Sequence, residues 1–101
     1  MEDDDADVLA RTIYGEARGE NLDGQEAIAS VVLNRLRFAK EKGGWWWGNT
    51  IAQICKKPLQ FSCWNKNDVN RRKLAAVTLK NESFKVAKRI ALRALAGLIK
   101  D

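Results

Sequence analysis

At 101 residues and 46% hydrophobic composition, the chain has material for one domain, expected over 1–101, with one modest core. Lys and Arg outnumber Asp and Glu by 18 to 13, a formal charge of +5, which draws a protein toward polyanions and equally suits a plain solvated basic surface. The absence of histidine excludes Ser/His and Cys/His nucleophiles within the chain, and with two cysteines a four-ligand zinc site is not expected. Chemistry must then rest on carboxylates, amides and hydroxyls, with no cofactor and no metal. No apolar run reaches the roughly 18 residues of a membrane span, and Met1-Glu2-Asp3-Asp4-Asp5 is the reverse of a basic leader. The expectation is synthesis in the cytoplasm without a signal peptide.

In chain order, Asp3, Asp4 and Asp5 suit a helix N-terminus, and Ala6, Leu9, Ile13 and Ala17 recur at helical spacing, predicting a first helix over about Asp4 to Arg18. Gly19 and Asn21 stop it. Asp23 is placed to cap a second helix with Ala27, Ile28, Val31, Val32, Leu36 and Ala39 on its apolar side, expected to form the centre of the core and to end before Gly43-Gly44. The loop Trp45-Trp46-Trp47 follows, and its three rings cannot all face inward.

Thr50 caps a short third helix, Ile51 to about Lys57, closed by Pro58, the only proline. Leu59 to Trp64 reads as extended, a polar turn spans Asn65 to Asn67, and a fourth helix runs roughly from Val69 to Leu79. Asn81 or Ser83 caps a last helix with Phe84, Ala87, Ala91, Ala94, Leu95 and Leu98 on one face and Lys85, Lys88, Arg89 and Arg93 mostly off it. The predicted class is mainly α: about five helices, with an irregular or short β segment around 58–66.

Glu16 lies seven residues after Leu9 and three after Ile13, so it projects from the apolar stripe of the first helix. Loss of water disfavours the charged form of a carboxylate, which suits a group that must hold a proton and give it to a glycosidic oxygen. The plainer alternative is a half-buried Glu paired with Arg18 or Arg35. Glu20, four residues on, cannot be the opposing member of a glycosidase pair, because two carboxylates on one helix face do not straddle a sugar; a supporting or capping role is left to it.

The run Ala10-Arg11-Thr12-Ile13-Tyr14-Gly15-Glu16-Ala17-Arg18-Gly19-Glu20, followed by Gly24-Gln25-Glu26-Ala27-Ile28-Ala29, Val31-Val32-Leu33-Asn34-Arg35 and Gln60-Phe61-Ser62-Cys63-Trp64-Asn65, resembles the cell wall hydrolase family typified by the spore cortex-lytic (SleB-type) enzymes. The resemblance runs over about residues 8 to 98. It implies a lysozyme-like, transglycosylase-related fold and cleavage of the N-acetylmuramic acid to N-acetylglucosamine bond, with Glu16 catalytic. A single glutamate fits a lytic transglycosylase, in which the muramic acid 6-hydroxyl closes an anhydro ring; hydrolysis by water is the alternative. Family members continue into a Gly- and Thr-rich segment carrying His and Tyr, whereas this chain ends at Leu98-Ile99-Lys100-Asp101. A domain shortened at its C-terminal end is expected, and with it a partner that completes the cleft, an oligomer, or an inactive peptidoglycan-binding relative.

Gln60, Ser62 and Asn65 beside Phe61 and Trp64 suit acetamido groups and sugar faces, although Phe61 and Trp64 equally suit a core and Gln60 a backbone contact. Tyr14 can hydrogen-bond a substrate, polarise Glu16 or simply pack. Cys55 and Cys63, eight apart, can pin the loop carrying Gln60 or remain thiols, the expected state in a protein made in the cytoplasm. Expected partners are peptidoglycan strands of the bacterial cell wall, as for a phage lysin or a bacterial wall enzyme. The basic last helix, if loosely held, can also lie on an anionic membrane surface. Nucleic acid ranks low, since the cations do not alternate with base-stacking aromatics.

Overall fold

The computed structural model describes residues 4–58, 60–65, 68 and 71–99. Among them there are five α-helices and no strand: α1 (Asp5–Ala17), α2 (Leu22–Glu41), α3 (Ile51–Lys56), α4 (Arg71–Ala76) and α5 (Glu82–Leu95), with one 3-10 turn at Ser62–Trp64 between α3 and α4. The fold is mainly α. Of the expected elements, Asp3, Leu59, Asn67, Val69 and Lys100 lie outside the described residues.

The helix starts follow side-chain chemistry. Asp4 Oδ1 accepts from the amides of Ala6 at 2.8 Å and Asp7 at 3.2 Å, filling donors that the first turn of α1 leaves open. The cap of α2 is Asn21 and not Asp23. Asn21 sits in extended backbone with its Oδ1 2.9 Å from the Gly24 amide, so the helix opens two residues earlier than expected and Asp23 falls in its first turn. Thr50 caps α3, and Lys57 turns extended before Pro58. Asn81 caps α5 through the Phe84 amide at 3.0 Å.

Two helices end sooner than their apolar patterns suggest. α5 stops at Leu95 because Gly97 takes φ +77°, a left-handed conformation open to glycine, and the Leu98 amide folds back onto the Arg93 carbonyl at 2.9 Å. Leu95 and Leu98, expected on the buried face, are therefore exposed, and Ile90 joins Phe84, Ala87, Ala91 and Ala94 inside. α4 ends at Ala76, where the Arg11 guanidinium takes up the Leu74 and Val77 carbonyls at 2.7 and 3.0 Å. Within the segment expected to be extended before Trp64, Phe61 has extended backbone (φ −124°, ψ 112°), after which the chain tightens into the 3-10 turn.

The centre of the core is α1, correcting the expectation that it would be α2. Val8, Leu9, Ala10, Ile13 and Tyr14 are all buried, and α1 packs against each of the other helices and the 3-10 turn. α2 contributes Ala29, Val32 and Ala39 along a narrower stripe, while Ala27 and Val31 face outward. A 13-residue helix covered on most sides needs apolar residues around most of its circumference, and α1 has them. No helix among the described residues is long and apolar enough to cross a membrane. Leu9→Ala should therefore cost about 2–5 kcal/mol, the usual cost of truncating a fully buried leucine. Val31→Ala should stay within about 0.5 kcal/mol, as surface changes do. Equilibrium urea unfolding of the two variants measures both, and equal losses would contradict α1 as the core helix.

Candidate functional site

The site is assembled where the 3-10 turn lies against α1. Gly15 makes this possible: a Cβ placed on it would lie 2.6 Å from the Cys63 Cβ and 2.7 Å from its Sγ, closer than two side chains can stand. One turn earlier on α1, Thr12 is fully buried and its hydroxyl donates to the Val8 carbonyl at 2.8 Å while accepting from the Trp64 indole N–H at 2.8 Å. One hydroxyl thus joins α1 and the turn.

With Gly15 and Thr12 holding the turn, the neighbouring side chain Glu16 meets Ser62. The Ser62 amide donates to Glu16 Oε1 at 3.1 Å, and the Ser62 hydroxyl lies 3.5 Å from Oε2. Glu16 is half-buried and Ser62 exposed, so the carboxyl stands at the protein surface with its base in the core. The arginines suggested as its partners are engaged elsewhere. Arg18 stacks over the Tyr14 ring at 5.2 Å. Arg35 lies between Trp47 and Phe61, 5.6 Å from each ring, and reaches Gln60 Oε1 at 3.4 Å.

The structure brings Glu16, Ser62 and Trp64 into one cluster and distributes the other predicted residues around it. Phe61 is buried beneath Arg35, and Gln60 bonds Arg35 with its side chain and the Lys57 carbonyl with its amide. Tyr14 is buried edge-on to Phe84, ring centroids 6.0 Å apart. Trp64 carries the Lys56 ammonium 5.0 Å above its ring. Asn65 closes the turn, its amide on the Ser62 carbonyl at 2.9 Å. Glu20 lies beyond the end of α1, exposed, and its backbone carbonyl receives the Gln25 side-chain amide at 3.1 Å. Sequence reasoning missed Thr12 and Gly15. A threonine inside a helical stripe and a glycine between Tyr14 and Glu16 were signals, but both need a partner 46 or more residues away to be read.

Cys55 and Cys63 are buried free thiols. Burial pushes Cys55 up to about 11, and burial followed by the nearby Glu16 charge pushes Cys63 up to about 12, with Cys55 and Asp68 adding to it. A thiol raised above its usual 9.0 leaves stability intact below that pH. As pH climbs from 9 toward 11 the unfolded thiols ionise and the folded ones do not, so stability falls. Near pH 8, a thiol reagent should modify neither cysteine in the native chain and both in denaturant; prompt native labelling would contradict their burial. Gly15→Ala should destabilise by about 1–3 kcal/mol through overpacking, outweighing the gain of about 1 kcal/mol that alanine normally brings to a helix. Thermal unfolding measures the sign, and a stabilised variant would show that the turn does not need the close approach.

The family model described as Cell Wall Hydrolase matches residues 19–101, so the Tyr14-Gly15-Glu16-Ala17-Arg18 segment lies just ahead of the matched region. The chain is 43% identical over 58 residues to the spore cortex-lytic enzyme of Bacillus subtilis, covering 57% of this chain and 17% of that protein. It is 53% identical over 58 residues to that of Oceanobacillus iheyensis, covering 57% and 19%, and 56% identical over 60 residues to that of Halalkalibacterium halodurans, covering 59% and 16%. The chain spans less than a fifth of the length of these relatives. No solved structure matches it. With most of its residues matched by the family model, the chain belongs to the cell wall hydrolase family.

Proposed function

We propose that the chain, acting as one domain over 1–101, cleaves the glycan strand of peptidoglycan between N-acetylmuramic acid and N-acetylglucosamine, with Glu16 as the general acid. The observation that carries this reading is the Glu16 carboxyl at the rim of the core, oriented by the Ser62 amide at 3.1 Å and beside the Ser62 hydroxyl at 3.5 Å. A catalytic acid must be held in place and must also change protonation state. The Ser62 amide fixes the Oε1 edge. The hydroxyl can donate to a carboxylate or accept from a carboxylic acid, so the Oε2 contact serves both forms. Membership of the cell wall hydrolase family and the name shared by the relatives support the substrate class.

In the transglycosylase form, Glu16 protonates the leaving glycosidic oxygen and, as carboxylate, takes the proton of the muramic acid 6-hydroxyl as it attacks the anomeric carbon. Acid and base are then one group, and no second carboxylate is needed. The hydrolytic form differs in the nucleophile alone, with water in place of the 6-hydroxyl. Gln60 and Asn65 flank Ser62 and suit the acetamido groups of the strand, and Trp64 suits a sugar face, while Tyr14 and Glu20 bound the same end of α1.

Glu16→Gln keeps the shape of the side chain and removes the transferable proton. It should lower release of soluble fragments from purified peptidoglycan by about 10² to 10⁴ with an unchanged far-UV circular dichroism spectrum. Activity above roughly a tenth of the parent would remove Glu16 from the acid role, since general acid catalysis contributes more than that. Mass spectrometry of the wild-type products then separates the two chemistries: 1,6-anhydro ends that resist borohydride support the transglycosylase, and reducible ends the hydrolase.

A further inference from the structure

α5 is apolar on two sides. Its inner face, Phe84, Ala87, Ile90, Ala91 and Ala94, is buried, and the helix packs on α1 and α2. On its outer side and in the turn that follows, Leu92, Leu95 and Leu98 are 52%, 39% and 63% exposed. The exposed leucines elsewhere, Leu22 and Leu79, stand singly in the sequence, as surface leucines ordinarily do. Leu92 and Leu95 are three residues apart and so are neighbours on the helix surface. Leu98 comes after the left-handed turn at Gly97, where its amide is fixed on the Arg93 carbonyl at 2.9 Å, and the next residue, Ile99, packs back against the core. The third leucine is thus held out to solvent by a backbone bond on one side and by packing on the other.

The cations of α5 surround these leucines. Lys88 and Arg89 precede Leu92 by one helical turn, and Arg93 follows it directly. Lys88, Arg89 and Arg93 make no ion pair among the described residues, and the one acid on the helix, Glu82, lies 3.4 Å from Lys85. Arg89 and Arg93, both exposed, sit at the four-residue spacing at which like charges repel.

An apolar patch among uncompensated positive charges has few complements. A symmetric pair of these chains would bring the arginines of one copy toward those of the other. A soluble polyanion would satisfy the cations and leave the leucines in water. A layer of anionic headgroups over acyl chains satisfies both. We propose that the end of α5 and the turn after it form a docking face for an anionic phospholipid bilayer, with Leu92, Leu95 and Leu98 entering the boundary between headgroups and acyl chains and Lys88, Arg89 and Arg93 meeting the phosphates. The helix stays on the core as it docks, because these leucines are not the residues buried on its inner face. Leu95 stands about 16 Å along α5 from Phe84, whose ring meets Tyr14 of α1. The face is therefore separate from the Glu16–Ser62 contact and independent of the glycan reading.

The test sediments the full chain with sucrose-loaded vesicles, either phosphatidylglycerol and phosphatidylcholine in equal parts or phosphatidylcholine alone, and measures the bound fraction. Partition onto the anionic vesicles should be stronger by about tenfold or more and should fall as salt rises from about 0.05 M to about 0.5 M. Leu98→Ser should weaken it about threefold to tenfold, Leu92→Ser combined with Leu98→Ser by about tenfold or more, and Arg89→Gln combined with Arg93→Gln by a similar factor. Trp46→Ala, in the other exposed apolar segment, should bind as the parent does. Circular dichroism checks that each variant folds, and Leu98→Ser, which lies outside the helix, decides the matter if the double leucine variant does not. Equal binding to the two vesicle types, or binding to neither, overturns the proposal. So does loss of binding in the arginine variant with both leucine variants unchanged, which is adsorption by charge alone, or a loss in Trp46→Ala as large as in the leucine variants, which moves the contact to the tryptophan loop.

Discussion

The close approach of the Ser62–Trp64 turn to α1 is the constraint on which the rest of the site depends. At Gly15 there is no Cβ, and Cys63 occupies the space one would fill. Any larger residue moves the turn outward, and the Ser62 amide then leaves the Glu16 carboxyl. Helix propensity alone disfavours glycine here by about 1 kcal/mol relative to alanine. Its presence between Tyr14 and Glu16, in a helix otherwise rich in good helix formers, is explained by the packing and not by the helix.

A second layer of support is polar and buried. Thr12 uses its hydroxyl as donor to Val8 and acceptor from Trp64, so a buried oxygen that would be costly alone becomes the junction of α1 and the turn. Arg11 ties α1 to α4 in a similar way. Its guanidinium bonds Asp7 at 2.8 Å, closes the end of α4 through the Leu74 and Val77 carbonyls, and stacks 5.0 Å from the Phe84 ring. A short helix such as α4 has little stability of its own and gains it from this attachment.

Cations and rings line the outer face of the site in series. Arg35 joins Trp47 to Phe61, and Lys56 joins α3 to Trp64. Each contact is modest, about 0.5–1 kcal/mol where water has access. Together they hold the tryptophan loop and the Gln60-to-Trp64 segment at a fixed spacing. The net charge of +5 attracts an anionic polymer generally.

By itself the sequence determined the helical class, the cap at Thr50, a choice of Asn81 or Ser83 for the last cap, the break at Pro58 and the family, because capping, proline chemistry and contiguous motifs are local. It marked Glu16 as a carboxylate on an apolar stripe for the same reason. The cap at Asn21, the early ends of α4 and α5 and the central place of α1 were decided by tertiary structure. Asn21 and Asp23 are equally good caps on paper, Arg11 closes α4 from 63 residues away, and the side of a helix that is covered depends on what packs against it. The partner of Glu16 also came from the fold: periodicity places the carboxyl near the core, but the Ser62 amide is 46 residues distant and reaches it only because Gly15 lets Cys63 in.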